Sequence, residues 1–175
     1  WDMAKYEIAA HKWVDLSQRD YGVALMNDCK YGYHVEEGVI DLNLLRSPHS
    51  PDPVGDRAQH QFTYSLFPHK GDHVEGNVAH AAYTLNIPLV ATVTTPHSGS
   101  LPASASLITV DAPNVIVEAV KMAEDGAGTV VRLYESSGAG VSAHIAVTGA
   151  TSAELTNLME TTVAPLDVKE NGIAA

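Results

Sequence analysis

Apolar and polar residues alternate through much of the first seventy positions, the period expected of strands with one face buried. Tyr6, Ile8 and Ala10 share one face of the first segment, with Glu7, Ala9 and His11 opposite. Gly22 to Asn27 is a short apolar run, closed by a tight turn over Asp28 to Gly32. Glu36-Glu37-Gly38 is a hairpin signal before Val39 to Leu45, where Ile40, Leu42 and Leu44 oppose Asp41 and Asn43. His60 to Phe67 repeats the design, with Phe62, Tyr64 and Leu66 against Gln61, Thr63 and Ser65. Such alternation across short turns predicts antiparallel sheet. Arg46 to Ala58 breaks the pattern: Pro48, Pro51 and Pro53 fix φ and deny ladder donors, so this is a long loop, not a central strand. Asn77 to Thr84 reads as one or two helical turns and Leu89 to Thr94 as a strand. The Pro- and Ser-rich stretch from Thr95 to Pro102 then places a domain boundary, giving 1–98 and 99–175. Beyond it, Ser106 to Asp111, Val115 to Met122, Thr129 to Glu135 and Val141 to Val147 read as strands, separated by turns over Gly126 to Gly128 and Ser136 to Gly140. Val115 to Asp125 has helical propensity, but its β-branched start and the short spacing to its neighbours favour strand. Ser152 to Thr161 fits either a short helix or a strand.

Composition narrows the function classes. Apolar residues make up 45% of the chain, enough for a real core rather than disorder. The formal charge of −11 and the scattering of single Lys and Arg residues leave no basic stripe to neutralise phosphates. Nucleic acid and anionic membrane surfaces are therefore excluded as partners. No apolar run reaches the ~18 residues that a membrane span needs. The single cysteine, Cys29, allows no internal disulfide and no thiolate zinc site, and within Asp28-Cys29-Lys30 it reads as a small semi-buried thiol. The chain opens on Trp1 rather than Met, which reads as a processed product or a piece of a longer polypeptide.

Candidate chemistry is sparse. Nine histidines invite a metal reading, but they are spread over loops and strands, His69 to His73 crosses a Lys70-Gly71 turn, and no His-x-Asp occurs, so no metal ligand is assigned. Glycoside hydrolysis usually needs two carboxylates flanking the bond. Glu36-Glu37 and Glu124-Asp125 read instead as solvated turn charges, and Asp15 as a bend held by its own backbone. No nucleophile elbow, phosphate loop or dinucleotide fingerprint is present, so no catalytic residue is assigned. The Arg46-to-Arg57 loop is the best candidate for binding. Its charged side chains suit bidentate contacts or hydrogen bonds to sugar hydroxyls, and the competing reading is that Arg46 and Asp52 merely pin a Pro-rich loop. Trp13, among apolar neighbours, reads as core or interdomain contact rather than a sugar platform.

Several separated segments carry a resemblance. Trp13-Val14-Asp15-Leu16-Ser17, Asn27-Asp28-Cys29-Lys30-Tyr31-Gly32, Leu44-Leu45-Arg46-Ser47-Pro48 and Phe62 to His69 occur in this order, followed by Glu118 to Asp125 and Val130 to Glu135. Together, from about Tyr6 to about Val168, they resemble the C-terminal β-rich region of a glycoside hydrolase family 38 α-mannosidase of the bacterial and cytosolic type. The resemblance implies an all-β fold. Residues 1–98 would be the end of a galactose-mutarotase-like β supersandwich, here partial, and 99–175 a small C-terminal β-sandwich lacking its last strand. Such an unpaired edge favours self-association. The implied parent activity is hydrolysis of terminal α-mannosyl residues with retention of configuration, using zinc and an Asp nucleophile in an N-terminal catalytic domain outside this chain. No cofactor would bind to this part. Its role would be non-catalytic: to complete the fold and, through Arg46, Asp52 and Arg57, to shape the outer wall of the active site. The partners implied are the upstream catalytic domain of the same polypeptide and, through the full enzyme, an α-mannoside. A cytoplasmic location follows from the subtype and agrees with the lack of disulfide cysteines. Two other classes stay open. A carbohydrate-binding β-sandwich module would need an exposed aromatic platform. A mutarotase-type sugar epimerase would need His60 or His69 to converge with a buried glutamate as acid and base.

Overall fold

Strands in the amino-terminal half form where the alternation is cleanest. In chain order they are β1 (Ile8–Ala9), β2 (Trp13–Ser17), β3 (Gly22–Asn27), β4 (Gly32–Glu36), β5 (Val39–Leu42) and β6 (Tyr64–His69), followed by helix α1 (Val78–Asn86). A computed structural model describes residues 6–169 and 172–174, and the chain divides into units Trp1–Thr92 and Val93–Ala175. The fold is all-β apart from that helix, among the described residues.

In the first unit β2, β3 and β6 form one antiparallel sheet, with β3 in the centre, and β1, β4 and β5 form another. The two faces of β3 explain the layering. Gly22, Ala24 and Met26 point to one side, where Ala24 and Met26 pack with Val78 and Ala82 of α1 and with the flanks of Trp13 and Phe67. Leu25 points to the other side and joins Val14 and Tyr33, with Val35, Ile40 and Leu42 of the β4–β5 hairpin around them. The unit is thus helix on sheet on sheet, with apolar residues on both faces of β3. Small residues at positions 22 and 24 let the helix side approach closely. The β4–β5 turn is the two-residue kind that matches strand twist: Glu37 and Gly38 both have positive φ, 48° and 81°.

Register corrects several expected boundaries. β5 ends at Leu42 rather than Leu45, because β4 begins at Gly32 and the ladder closes with Asn43 N–H on the Gly32 carbonyl. The expected His60-to-Phe67 strand sits at Tyr64–His69, since its pairing runs from Asn27↔Tyr64 to Gly22↔His69. Pro68 fits there because β6 is an edge strand and needs no outer donor at that residue. The helix runs two residues past the expected Thr84 and stops at Ile87, which precedes Pro88 and takes an extended backbone. Leu89 to Thr94, expected as a strand, is irregular; Leu89, Val90 and Val93 are 94–99% exposed. It pairs with no strand among the described residues, so its β propensity has nothing to act on.

The second unit contains β7 (Ile108–Val110), β8 (Val115–Met122), β9 (Thr129–Glu135), β10 (His144–Val147), β11 (Ala153–Thr156), β12 (Thr162–Leu166), β13 (Val168–Lys169) and β14 (Gly172–Ala174). β13, β14, β10 and β7 lie side by side in that order, while β8–β9 and β11–β12 are hairpins. Val115–Met122 is a strand, as its β-branched start implied, with an irregularity between Val117 and Ala119. The ambiguous Ser152-to-Thr161 segment resolves into strand β11 and a turn held by Asn157, whose Oδ1 accepts from the N–H groups of Met159 and Thr161. Ile116, Ala143 and Ile145 are its buried apolar centre, with Ala112 beside them.

Candidate functional site

The Arg46-to-Arg57 loop is exposed and closed on itself. Ser47 N–H donates to Asp56 Oδ2 (2.9 Å), and a Cβ on Gly55, at φ 55°, would come within 2.6 Å of the Pro48 carbonyl. Residues 47–48 and 55–56 therefore meet at the loop base, which brings the Arg46 and Arg57 backbones to that same base. Asp52 lies at the far end, where its Oδ1 accepts from Val54 N–H (2.9 Å) in a local turn. Neither guanidinium has a hydrogen-bond or ion-pair partner among the described residues. Asp56, not Arg46 or Asp52, pins the loop, so both arginines stay available to a ligand.

The Asn27-to-Gly32 motif proves to be a structural knot. Asn27 is 1% exposed and Tyr33 2%. Asn27 Nδ2 donates to the Tyr33 hydroxyl, and its Oδ1 accepts from the N–H groups of Cys29 (3.1 Å) and Lys30 (2.5 Å). Its carbonyl accepts from Asn86 Nδ2 (3.0 Å) at the end of α1. Burial pushes the Tyr33 phenol up, and the Asn27 bond offsets part of that push. Next to it, Asp28 Oδ1 accepts from Thr63 N–H while Asp28 N–H donates to the Thr63 carbonyl, which ties the β3–β4 turn to the start of β6. The Thr63 amide and the Cys29 thiol hold the Asp28 carboxyl below its ordinary range. The Cys29 thiol, bonded to Asp28, is pushed up, the opposite of what an activated thiolate needs.

Asp15 does not hold a bend. It lies within β2, and its Oδ1 stands 2.7 Å from His69 Nε2, with both side chains buried. His60 Nε2 meets the Asp56 carbonyl at 2.7 Å. Neither histidine bonds a glutamate, so the acid–base pair of an epimerase does not assemble on them. Trp13 stacks on His73 with ring centroids 5.4 Å apart and packs beside the helix core.

In the second unit Glu135 organises the 136–140 turn. Its Oε1 accepts from Asn114 Nδ2 (2.7 Å), Ser137 N–H (2.8 Å) and the Ser137 hydroxyl, and its Oε2 from the N–H groups of Gly138 (2.6 Å) and Ala139 (3.1 Å). Led by the Ser137 hydroxyl, these donors lower its pKa to about 2. Lys121 bridges Glu124 and Glu160, 2.6 Å from each. These carboxylates are occupied by turn N–H groups or one lysine and do not flank a cleft as a catalytic pair. The sequence marked their turns but not their partners, such as Lys121 for Glu160, which are remote in the chain.

Each unit has an open groove, and the second adds a smaller one of about 500 Å³ beside Val115 and Tyr134. That of the first unit, about 640 Å³, is lined by Leu16, Tyr21, Leu25, Ile40 and Leu66. That of the second, about 830 Å³, runs between β9 and the β11–β12 hairpin. The first is largely apolar, whereas the second mixes aliphatic residues with Arg132, Glu154, Asn157 and Glu160. Among the described residues no three His, Cys, Asp or Glu side chains group to hold a metal ion. No helix among them is long and apolar enough to cross a membrane.

Comparison with known proteins gives these features a family. The model of the glycosyl hydrolases family 38 C-terminal domain matches residues 1–54, and that of the family 38 C-terminal beta sandwich domain matches residues 114–174. Mouse alpha-mannosidase 2C1 is 47% identical over 145 residues, covering 81% of this chain but 14% of the mouse protein. Alpha-mannosidase G of Dictyostelium discoideum is 45% identical over 140 residues, 79% of this chain and 13% of that protein. The fold matches an alpha-mannosidase from Enterococcus faecalis V583 with a TM-score of 0.75 at 22% identity, over 96% of this chain and 21% of that one. The chain spans about one seventh of the length of the curated relatives it matches. Two models of one family, in chain order and on separate units, with close relatives bridging them, decide the assignment: the chain belongs to glycoside hydrolase family 38 and carries its C-terminal region.

Proposed function

We propose that this chain is the non-catalytic C-terminal part of a retaining α-mannosidase acting on terminal α-mannosyl residues. The observation that carries the reading is the ordered pair of family 38 C-terminal matches at residues 1–54 and 114–174, joined by relatives named alpha-mannosidases. The occupied carboxylates support a structural role: Glu135 is held by turn N–H groups, Glu160 by Lys121 and the Glu124 N–H, and Glu154 by the Thr162 hydroxyl, so none stands ready as one of an acid and base pair. The zinc and the nucleophile belong to a preceding catalytic domain, and that domain is the chief partner. Residues 1–98 complete a mutarotase-like supersandwich and 99–175 form the closing sandwich of a cytoplasmic enzyme. The base of the 46–57 loop, with Arg46 and Arg57 unpaired and Asp52 at the tip, forms an outer wall of the active site and contacts sugar hydroxyls.

The test is hydrolysis of an aryl α-mannoside, with added zinc, by the 175-residue chain and by the same chain joined to a family 38 catalytic portion. Activity in the joined protein alone is the expected result; activity in the short chain refutes the non-catalytic role. In the joined protein, Arg46→Ala or Arg57→Ala should raise KM several-fold and leave folding unchanged. An unchanged KM in both would remove the loop from the site.

A further inference from the structure

His69 is built into its surroundings on every side. Gly22 of β3 and Gly76, two residues before α1, flank the ring: a Cβ at Gly22 would lie 2.7 Å from Nε2, and one at Gly76 2.5 Å from Cγ. Phe67 stacks on it with ring centroids 6.0 Å apart. The His69 side chain is 3% exposed and that of Asp15 4%. The two ring nitrogens face Asp15 Oδ1 at 2.7 Å and the Lys70 carbonyl at 3.2 Å. Both are acceptors. A neutral imidazole has a single N–H and can serve one of them; only the imidazolium serves both.

We propose that His69 is carried as an imidazolium that latches the 70–77 turn and the start of α1 onto the β2–β3–β6 sheet, and that loss of this proton as pH rises releases the turn while the strands stay paired. The turn hangs from the Lys70 carbonyl and closes through three backbone bonds: Gly76 N–H to Asp72 O (2.8 Å), Asn77 N–H to Val74 O (3.0 Å) and Val78 N–H to His73 O (3.0 Å). The charged and titratable groups facing the ring are few. β2 supplies Asp15. The turn supplies Lys70, Asp72, His73, which stacks on Trp13, and Glu75, whose carboxylate folds over Gly71. β3 and β6 contribute Gly22 and Phe67, both uncharged, and α1 opens on the apolar Val78 and Ala79.

Burial works against charge on His69, but the Asp15 bond, the Lys70 carbonyl and the negative charges of Asp15 and Asp72 outweigh it and hold the ring above its ordinary value. With the folded pKa raised, the contribution of the latch is complete below the unfolded histidine value of about 6.5 and is lost as pH climbs through the folded value. The turn is therefore tighter in mild acid than in mild base.

The test uses the full 175-residue chain, ¹⁵N-labelled, titrated from about pH 5 to about pH 9. Imidazole ¹H–¹⁵N spectra should show both His69 nitrogens still protonated above the ordinary histidine value of about 6.5. Amide protection at Gly76, Asn77 and Val78, corrected for base-catalysed exchange, should fall with the His69 midpoint, by about tenfold per unit separating the folded and unfolded midpoints. Amides of the β2–β3 ladder should hold. A His69 midpoint at or below about 6.5, or protection at residues 76–78 that stays flat, overturns the proposal. Asp15→Asn keeps an acceptor but removes the charge, and should lower the His69 midpoint; an unchanged midpoint also overturns it. If that variant fails to fold, the wild-type titration decides alone.

Discussion

Replacing Asn27 by alanine removes the side chain that ties the end of β3 to β4 and to the β3–β4 turn. Three bonds go: Nδ2 to the Tyr33 hydroxyl, and Cys29 N–H and Lys30 N–H to Oδ1. Their weights differ. The Tyr33 side chain is buried at 2% exposure, so its hydroxyl is left without a partner, a loss of about 1–3 kcal/mol. Cys29 is exposed and Lys30 half-buried, so water reaches both amides and each loses about 0.5–1.5 kcal/mol. The expected destabilisation of the first unit is thus about 2–6 kcal/mol, about half of it from Tyr33. Urea unfolding followed by tryptophan fluorescence reads it, since Trp13 stacks between the helix core and His73. Tyr33→Phe should recover part of the loss when combined with Asn27→Ala, with a coupling of about 0.5–3 kcal/mol, because the orphaned hydroxyl is then gone. A loss below about 0.5 kcal/mol for Asn27→Ala, or strictly additive effects in the pair, would refute the assignment of Asn27 as the knot.

Other outcomes follow from single contacts. Gly76→Ala forces a Cβ against the His69 ring, which Asp15 and Phe67 hold in place, and should cost about 1–3 kcal/mol in the same urea assay. Glu135, with its pKa lowered to about 2, contributes stability that is present above the unfolded value near 4.5 and lost as pH falls through 2. Hydrogen exchange at Ser137, Gly138 and Ala139 should therefore quicken across that window, and Glu135→Gln should quicken it at neutral pH. Lys121→Met should loosen the 157–160 turn by freeing Glu160, an effect smaller than that of Asn27→Ala and weakened further by salt, read from the amide exchange of Glu124.

Much of the fold was legible because it is local. Period-two alternation sets the buried face of a strand without knowledge of its partner, and Glu37-Gly38 supplies the positive φ that its hairpin turn requires. Thr129–Glu135 and Gly22–Asn27 lie where the pattern puts them. The proline loop was equally plain, since three prolines forbid a ladder wherever the chain goes. Element ends were not legible. β5 stops at Leu42 and β6 starts at Tyr64 because their partners begin or end there, and pairing between residues far apart in sequence leaves no trace in the local pattern. Leu89 to Thr94 shows the converse, strand-forming residues with no strand beside them.

The order of the Trp13, Asn27 and Leu44 segments was enough to place the chain in its family, because a run of separated motifs in fixed order is itself sequence information. What those residues do was decided by the tertiary structure. Asp15 reads as a bend residue until β6 brings His69 against it from 54 positions away. Asn27 reads as the end of an apolar run until β4 buries Tyr33 over it and α1 ends with Asn86 beside its carbonyl. Arg46 and Asp52 could be read as sugar contacts or as the pins of their loop, yet Asp56 holds the loop base, and neither arginine has an ion-pair or hydrogen-bond partner among the described residues. A side chain's chemistry is written in its residue type, but its partners are fixed only when remote strands dock, and burial then determines which hydrogen bonds the fold cannot do without.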